Sequence, residues 1–246
     1  MQGKGMESSG NYIGIDIGSV SVKVVIVHPR DGIVKTAYQR FHGRPFQTLQ
    51  GLLDTQFSGY LDEPVLLGFT GIGGKTGASI LGGAFFGEIA ALAAANYHLL
   101  PEVKTIIEMG GEDSKFLQLD PATKSVIDFS MNTLCAAGTG SFLDQQAGRL
   151  KLSIEGEFGA LALKSQNPPR IAGRCSVFAK SDMIHLQQIA TPDYDIVAGL
   201  CYAVARNFKS AIARGKRFDP PVAFEGGVAS NPGGVKAFVD LLEIDN

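Results

Sequence analysis

Two segments of the chain share a layout of residues that could hold the phosphates of a nucleotide. In each, an apolar run ends in an acid, a glycine follows two positions later, and a lysine follows seven positions after the acid. The two sets, 92 positions apart, are Asp16, Gly18 and Lys23, and Glu108, Gly110 and Lys115. A hairpin with a glycine turn exposes backbone N–H groups that an anion can approach. An acid before such a turn is placed to hold Mg²⁺ through water or to orient an attacking water. The repeat predicts two hairpins that clamp a triphosphate, or, as the plainer alternative, two ordinary glycine-turn hairpins.

A second type of reactive residue stands in the segment 131–150, where Cys135 precedes Gly138-Thr139-Gly140. A helix is predicted to begin near Ser141. A thiolate beside a helix N-terminus is stabilised by the free N–H groups and the dipole, which favours reactivity or metal ligation. Free cysteine is also among the most buried residue types, so a core position is the alternative. The glycines could equally contact phosphate or ribose.

The other two cysteines differ in their surroundings. Cys175 lies 40 residues after Cys135, just before a helix predicted to begin near Lys180, whereas Cys201 lies mid-helix among apolar residues and is predicted to be core. Iron–sulfur clusters usually take four thiolates. Two cysteines per chain become four only across a two-fold axis. No Cys-x-x-Cys is present and the four histidines are scattered, which argues against a zinc site.

Two further glycine-rich segments are candidates for nucleotide-binding loops. The run at 68–77 matches neither the Walker A pattern nor the dinucleotide pattern, so a plain strand-to-helix turn is predicted there. In the run at 224–238, Gly226 and Gly227 would let the backbone lie against an adenine or ribose, and Asn231 is predicted to cap a helix. A plain helix cap is the alternative.

The elements that must position these residues follow the same order in both halves of the chain. Strands are predicted at 12–18, 22–28, 34–41, 64–71, 103–110, 114–120, 125–132 and 221–227. Helices are predicted from Pro45, from the fourth strand through about Leu100, around 141–150, 156–165, 180–190 and 194–214, and from Pro232. This order predicts an α/β protein with a flexible leader at 1–11, an N-terminal lobe at 12–101 and a C-terminal lobe at 102–246.

The composition excludes several classes of function. The chain has 246 residues, 45% of them apolar, and a net charge of −2, which argues against a nucleic-acid-binding body or a polybasic membrane surface. The most apolar stretch, 80–95, is interrupted by Glu88 and is shorter than the ~20 residues of a spanning helix. There is no signal-peptide pattern, and three cysteines indicate a reducing compartment, so a cytoplasmic protein is predicted.

Taken together, these segments resemble the BadF/BadG/BcrA/BcrD ATPase family, which includes activators of 2-hydroxyacyl-CoA dehydratases and benzoyl-CoA reductase subunits. The resemblance covers roughly residues 12 to 238. The matching stretches are GIDIGSVSVK (14–23), EMGGEDSK (108–115), MNTLCAAGTGSFLD (131–144), CSVFAKSDMI (175–184) and GGVASN (226–231).

The resemblance implies an actin-like fold of two ribonuclease-H-like lobes with ATP and Mg²⁺ in the cleft between them. It implies a homodimer in which Cys135 and Cys175 of both subunits hold one [4Fe–4S] cluster. ATP binding or hydrolysis would then drive low-potential electron transfer to a dehydratase or reductase partner, from a donor such as ferredoxin or flavodoxin. No nucleic-acid or membrane partner is implied.

The resemblance also assigns roles to individual residues. Asp16 matches the metal-associated acid, and Glu108 matches the acid of the second hairpin. The expected nucleotide-binding residues are Gly18, Ser19, Ser21, Lys23, Gly110, Gly111, Asp113, Lys115, Gly138, Thr139, Gly140, Gly226, Gly227 and Asn231.

Two departures from the family pattern bear on function. Glu112, expected to be a third catalytic acid that positions water, stands where many members carry glutamine. A carboxylate near a γ-phosphate would repel it unless Mg²⁺ or a lysine compensates. The chain stops at Asn246, where members usually continue. We therefore expect a C-terminal lobe that is truncated at its end, as it would be in the first domain of a longer activator. Two other functions fit the same fold: a small-molecule kinase, which would not need the cysteines, and a nucleotide-binding regulatory module without turnover.

Overall fold

Each half of the chain folds around a sheet whose strands come from the apolar runs of the sequence. The computed structural model describes residues 10–62, 64–132 and 138–244. Within it the chain divides into two units, Met1–Leu92 and Ala93–Asn246. The lobe limits inferred from the sequence stay a prediction. Cys135 lies outside the described residues.

The first unit contains a five-stranded sheet in the order β3-β2-β1-β4-β5. The strands are β1 (Tyr12–Ile17), β2 (Ser21–His28), β3 (Gly32–Arg40), β4 (Leu66–Thr70) and β5 (Ala84–Phe85). The first three pair antiparallel, and β4 runs parallel to both β1 and β5. Apolar residues alternate along β1, where Ile13, Ile15 and Ile17 are buried in the core of this unit. That period of two is what places one face of a strand inside.

The helices that follow these strands are α1 (Pro45–Leu52), α2 (Gly74–Leu81) and α3 (Glu88–Leu99). Proline opens α1, as predicted, and π and 3₁₀ turns continue the helix to Tyr60. The prediction of one continuous helical stretch through Leu100 is wrong. Helix α2 ends at Leu81, Gly82 follows it in the left-handed region, and β5 lies before α3. Phe86 N–H donates to Phe69 O at 2.8 Å, which ties the chain after β5 to β4.

The second unit repeats the arrangement with the order β8-β7-β6-β9. Its strands are β6 (Thr105–Met109), β7 (Ser114–Asp120), β8 (Ser125–Asn132) and β9 (Val222–Glu225). Again the first three pair antiparallel and the fourth runs parallel to the first. The first four strands of the first sheet and the four strands of the second thus share one order and one set of directions, as expected for the two ribonuclease-H-like lobes that the family resemblance implies.

The helices of the second unit include one long helix that is buried along most of its length. They are α4 (Gly140–Arg149), α5 (Gly159–Ala162), α6 (Ser176–Gln188), α7 (Asp193–Asn207) and α8 (Pro232–Leu242). Ten of the fifteen residues of α7 are buried, Cys201 among them, which confirms its prediction as core. The helix predicted from Lys180 begins instead at Ser176, so Cys175 is its N-cap residue. In the part of the chain that the structure describes, no helix is both long and apolar enough to cross a membrane.

Candidate functional site

The first acidic hairpin joins β1 to β2. Asp16 and Lys23 are directly opposed across the strands, and Lys23 Nζ lies 2.6 Å from Asp16 Oδ2. The turn closes with Gly18 N–H donating to Ser21 O at 3.1 Å. Both side chains of the ion pair are substantially exposed, 46% for Lys23 and 32% for Asp16, so water screens the pair.

The second acidic hairpin joins β6 to β7 and reproduces this geometry with one addition. Glu108 and Lys115 are directly opposed, and Lys115 Nζ lies 2.9 Å from Glu108 Oε2. The same amine lies 2.7 Å from Asp113 Oδ2, and Gly110 N–H donates to Asp113 O at 3.0 Å. Only 5% of the Lys115 side chain is exposed. A lysine buried this deeply needs a carboxylate beside it, because an unpaired buried charge is strongly destabilising, and here two carboxylates contact it.

A glycine at the end of the parallel strand completes each hairpin. Gly71 and Gly226 have φ of 83° and 84°. A Cβ on Gly71 would lie 2.4 Å from Asp16 Oδ1, and one on Gly226 would lie 2.3 Å from Met109 O and 3.0 Å from Glu108 Oε1. Both positions therefore require glycine, and each brings its backbone against the acid of its own unit.

Sequence reasoning missed Gly71 as part of this site, since it treated the run at 68–77 as a plain turn. The strand-to-helix turn is there, between β4 and α2. A usable signal was present: Phe-Thr-Gly at 69–71 and Phe-Glu-Gly at 224–226 share the Phe-x-Gly pattern after an apolar run.

The Gly-Thr-Gly segment at 138–140 docks on the β6–β7 turn. Gly140 N–H donates to Gly110 O and Ser141 N–H to Gly111 O, both at 2.8 Å. Ser114 Oγ donates to Gly138 O at 2.7 Å. The N-terminus of α4, capped at Thr139, thus lies on the turn and directs its positive dipole end there. Glu112 is exposed in the same turn.

The Gly-Gly segment follows β9 and leads into α8. Gly227–Ser230 form a 3₁₀ turn, and Asn231 caps α8 by accepting from Gly234 N–H at 3.0 Å, as predicted. The Nδ2 donor of Asn231 is buried and has no partner among the described residues. A Cβ on Gly227 would meet no atom within 4 Å, so the backbone there is open to a ligand.

The two described cysteines are in opposite environments. Cys175 is half-buried at the N-terminus of α6, and the adjacent Val177 and Phe178 are each 66% exposed. Cys201 is fully buried, and that burial raises the pKa of its thiol to about 12, so it stays protonated. Within residues 10–62, 64–132 and 138–244, no group of three or more His, Cys, Asp and Glu side chains is arranged to hold a metal ion.

A half-buried acid that sequence reasoning did not single out lies beside Glu108. Glu225 is directly opposed to Glu108 across the parallel pair β6 and β9. Burial raises the pKa of the Glu225 carboxyl, and a hydrogen bond from Asn96 partly opposes that rise. The site in this unit thus combines a buried lysine, two carboxylates around it, and a third carboxyl biased toward its neutral form.

Replacing Gly71 tests whether its backbone lies as close to the Asp16 carboxylate as described. Gly82 is the matched control, because it also lies in the left-handed region, at φ 75°, but has open space for a Cβ. We expect Gly82→Ala to lower the free energy of unfolding by about 1 kcal/mol and Gly71→Ala by about 3 kcal/mol, because only the latter adds a clash to the backbone strain. Chemical denaturation of the full chain measures both. Equal losses would contradict the packing described for Gly71.

Replacing Glu225 with glutamine should change how stability depends on pH. A raised carboxyl pKa means that the fold favours the neutral form, so its stability contribution is present below the usual pKa and is lost as pH rises through the raised value. We therefore expect Glu225→Gln to gain stability relative to the parent as pH rises from about 4 to about 8. Urea denaturation across that range measures the difference, and a difference independent of pH would refute the burial effect.

Comparison with known proteins identifies a family and several relatives. The model of the BadF/BadG/BcrA/BcrD ATPase family matches residues 13–246. The chain is 40% identical over 151 residues to the 2-hydroxyisocaproyl-CoA dehydratase activator of Clostridioides difficile; this match covers 61% of the chain and 55% of that relative. It is 32% identical over 235 residues to the activator of lactoyl-CoA dehydratase of Anaerotignum propionicum, covering 95% of the chain and 89% of the relative.

Comparison with a solved structure confirms the predicted fold. The activator of the 2-hydroxyisocaproyl-CoA dehydratase from Clostridium difficile with bound ADPNP superposes with a TM-score of 0.85 at 31% identity. The match covers 96% of this chain and 87% of that one. The fold is thus the actin-like ATPase fold that the sequence motifs imply. With almost its whole length matched, the chain belongs to the BadF/BadG/BcrA/BcrD ATPase family.

Proposed function

We propose that the chain is an ATP-dependent activator. It would couple ATP binding and hydrolysis to low-potential electron transfer, from a [4Fe–4S] cluster shared by two subunits, to a 2-hydroxyacyl-CoA dehydratase or a benzoyl-CoA-reductase-like enzyme. The observation that carries the electron-transfer part is the position of Cys175. It is a half-buried thiol at a helix N-terminus beside exposed apolar residues, in a chain whose relatives are named as dehydratase activators.

The nucleotide part rests on the two hairpins and the loops docked on the second. We propose that the turns at Gly18 and at Gly110-Gly111 contact phosphate through their backbones, because each lysine is engaged by its own acid. The first N–H groups of α4 are used to hold the second turn, so the N-terminus of this helix would favour phosphate there through its dipole. Gly227, with open space, and Asn231, with a donor unpaired among the described residues, suit the ribose and base.

Magnesium fits the first hairpin when it is held through water. The Asp16 carboxylate is a hard oxygen donor of the type that Mg²⁺ prefers, and it is one-third exposed. Lys23 occupies Oδ2 at 2.6 Å, which favours a hydrated ion over a directly bound one. When bound, the ion would neutralise charge on the phosphates. Asp16 would hold its water shell, and Glu108 and Glu112 are the acids available to orient water at the second turn.

An iron–sulfur cluster fits the donor chemistry of Cys175. Cysteine sulfur is the usual ligand of such clusters, and Cys175 is half-buried, not sealed in the core. Val177 and Phe178, on the first turn of α6, give the thiol an exposed apolar border that a second copy of the chain would cover. We propose that Cys135 supplies the second ligand of each subunit. When bound, the cluster would supply a one-electron carrier of low potential.

The remaining roles follow from this assignment. The electron donor would be a small redox protein such as ferredoxin or flavodoxin. The reducing surroundings that such a cluster requires suit the cytoplasm. A small-molecule kinase of the same fold stays the alternative, and it would use the acids of the hairpins but not the cysteines.

Replacing Gly227 tests the nucleotide site without straining the protein. We expect Gly227→Val to weaken ATP binding about tenfold or more, because the branched side chain would fill the space that the ribose or base needs. Calorimetry measures the affinity. Gly148→Val is the control: Gly148 in α4 also has open space, and its variant should bind ATP normally. Parental affinity in Gly227→Val would remove Gly227 from the site.

Replacing the cysteines one at a time tests the cluster. In protein purified without oxygen, Cys135→Ser or Cys175→Ser should lose nearly all of the expected ~4 irons per dimer, because symmetry removes two of four ligands. Cys201→Ser should keep its iron, since Cys201 is buried in the core. Iron content and the visible spectrum are the measurements. An iron-free parent that transfers phosphate to a small molecule would favour the kinase.

A further inference from the structure

The loop that precedes Cys175 is fastened by three side chains, each binding one of three successive residues. Arg206 Nη2 donates to Ile171 O at 2.9 Å. Asp182 Oδ2 accepts from Ala172 N–H at 2.8 Å. Asn207 Nδ2 donates to Gly173 O. A loop held residue by residue fixes where Cys175 lies at the start of α6.

Asn207 differs from the other two because it also contacts the Gly-Thr-Gly segment. It is the last residue of α7 and only 4% exposed. A Cβ on Gly138 would lie 3.2 Å from Asn207 Cγ and 3.3 Å from its Oδ1, so the Gly138 backbone lies against the carboxamide. One buried side chain therefore touches both the segment that follows Cys135 and the loop that precedes Cys175.

Gly138 is in turn bound to the acidic turn of the second unit. Ser114 Oγ donates to Gly138 O at 2.7 Å, and this contact is buried. Ser114 directly follows Asp113, whose carboxylate holds Lys115. The contacts thus run without a break from the β6–β7 turn through Gly138 and Asn207 to Gly173, two residues before Cys175.

The loop has little room to move independently of α7. A Cβ on Gly173 would lie 2.3 Å from Ala203 O, so the Gly173 backbone is pressed directly against the helix. If Asn207 lost its amide, the half-buried Gly173 carbonyl would lose this hydrogen bond from the side chain. A shift of Gly138 must therefore be accommodated by Asn207 and passed on to Gly173.

We propose that Asn207 is a positioning residue that couples nucleotide binding at the β6–β7 turn to the position of Cys175. This rests on the proposed function in one respect, that ATP binds at this turn. The role concerns the protein's own thiol and is testable in iron-free protein.

The experiment measures the alkylation rate of Cys175 in the full, iron-free chain, with and without a non-hydrolysable ATP analogue. Peptide mass spectrometry reports Cys175 separately from the other cysteines. In the parent, we expect the analogue to change the rate about fivefold or more, the lower end of ordinary coupling between two sites. In Asn207→Ala, the change should fall below about twofold while affinity for the analogue is kept, and in Ser114→Ala it should fall as far when the analogue is saturating.

Thr105→Val is the matched control. Thr105 is fully buried at the start of β6, and its Oγ1 donates to Asp219 O at 2.9 Å, so the variant also loses one buried bond from side chain to backbone in the same unit. It should keep the parental response. A parent that shows no response, or an Asn207→Ala variant that keeps it, would overturn the proposal. The outcome for the cluster is separate. If parent protein purified without oxygen holds no iron, but the parental response to the analogue is lost in Asn207→Ala, the result would count against the cluster and support the coupling.

Discussion

The buried amine of Lys115 is the charge on which the second unit depends. It joins β6 to β7 through Glu108 and shapes the turn between them through Asp113. That turn presents Gly110 O to the first N–H of α4, and the Glu108 carboxylate forms one wall of the space that only a glycine at 226 can fill. Because the amine is nearly excluded from water, it needs a carboxylate beside it, and removing either acid would cost it one of two ion-pair contacts. The strands, the turn, α4 and the end of β9 are therefore fixed by one ionic cluster.

Much of the fold could be predicted because its information is local. Alternating apolar residues mark β1 and β2, and Pro45 marks the start of α1. The acid, glycine and lysine of each hairpin keep the same spacing in both copies, so the duplication is visible in a single sequence. The structure extends the repeat to hydrogen bonds: Gly18 to Ser21 and Gly110 to Asp113 are equivalent.

The parts that could not be predicted depend on contacts between distant residues. Gly71 acquires its role only when β4 pairs with β1, and Asn207 only when two loops meet at the end of α7. No periodicity signals such contacts. The late start predicted for α6 has a different cause: its first turn carries Val177 and Phe178, which are exposed and so depart from the pattern of a helix with one buried face.

The two hairpins have the same layout of acid, glycine and lysine, but their ion pairs differ in exposure to water. This difference favours a different role for each acid. The Asp16–Lys23 pair is screened by water, so separating it costs little, and Asp16 can exchange its lysine for the water shell of a cation. The Glu108–Lys115 pair is shielded from water and is reinforced by Asp113, so exchanging its lysine would cost far more. A duplicated hairpin would thus supply a metal-binding acid in one copy and a rigid support for the turn in the other, with no change in backbone design. On this reasoning we propose that Asp16, and not Glu108, would hold the magnesium ion of the proposed function.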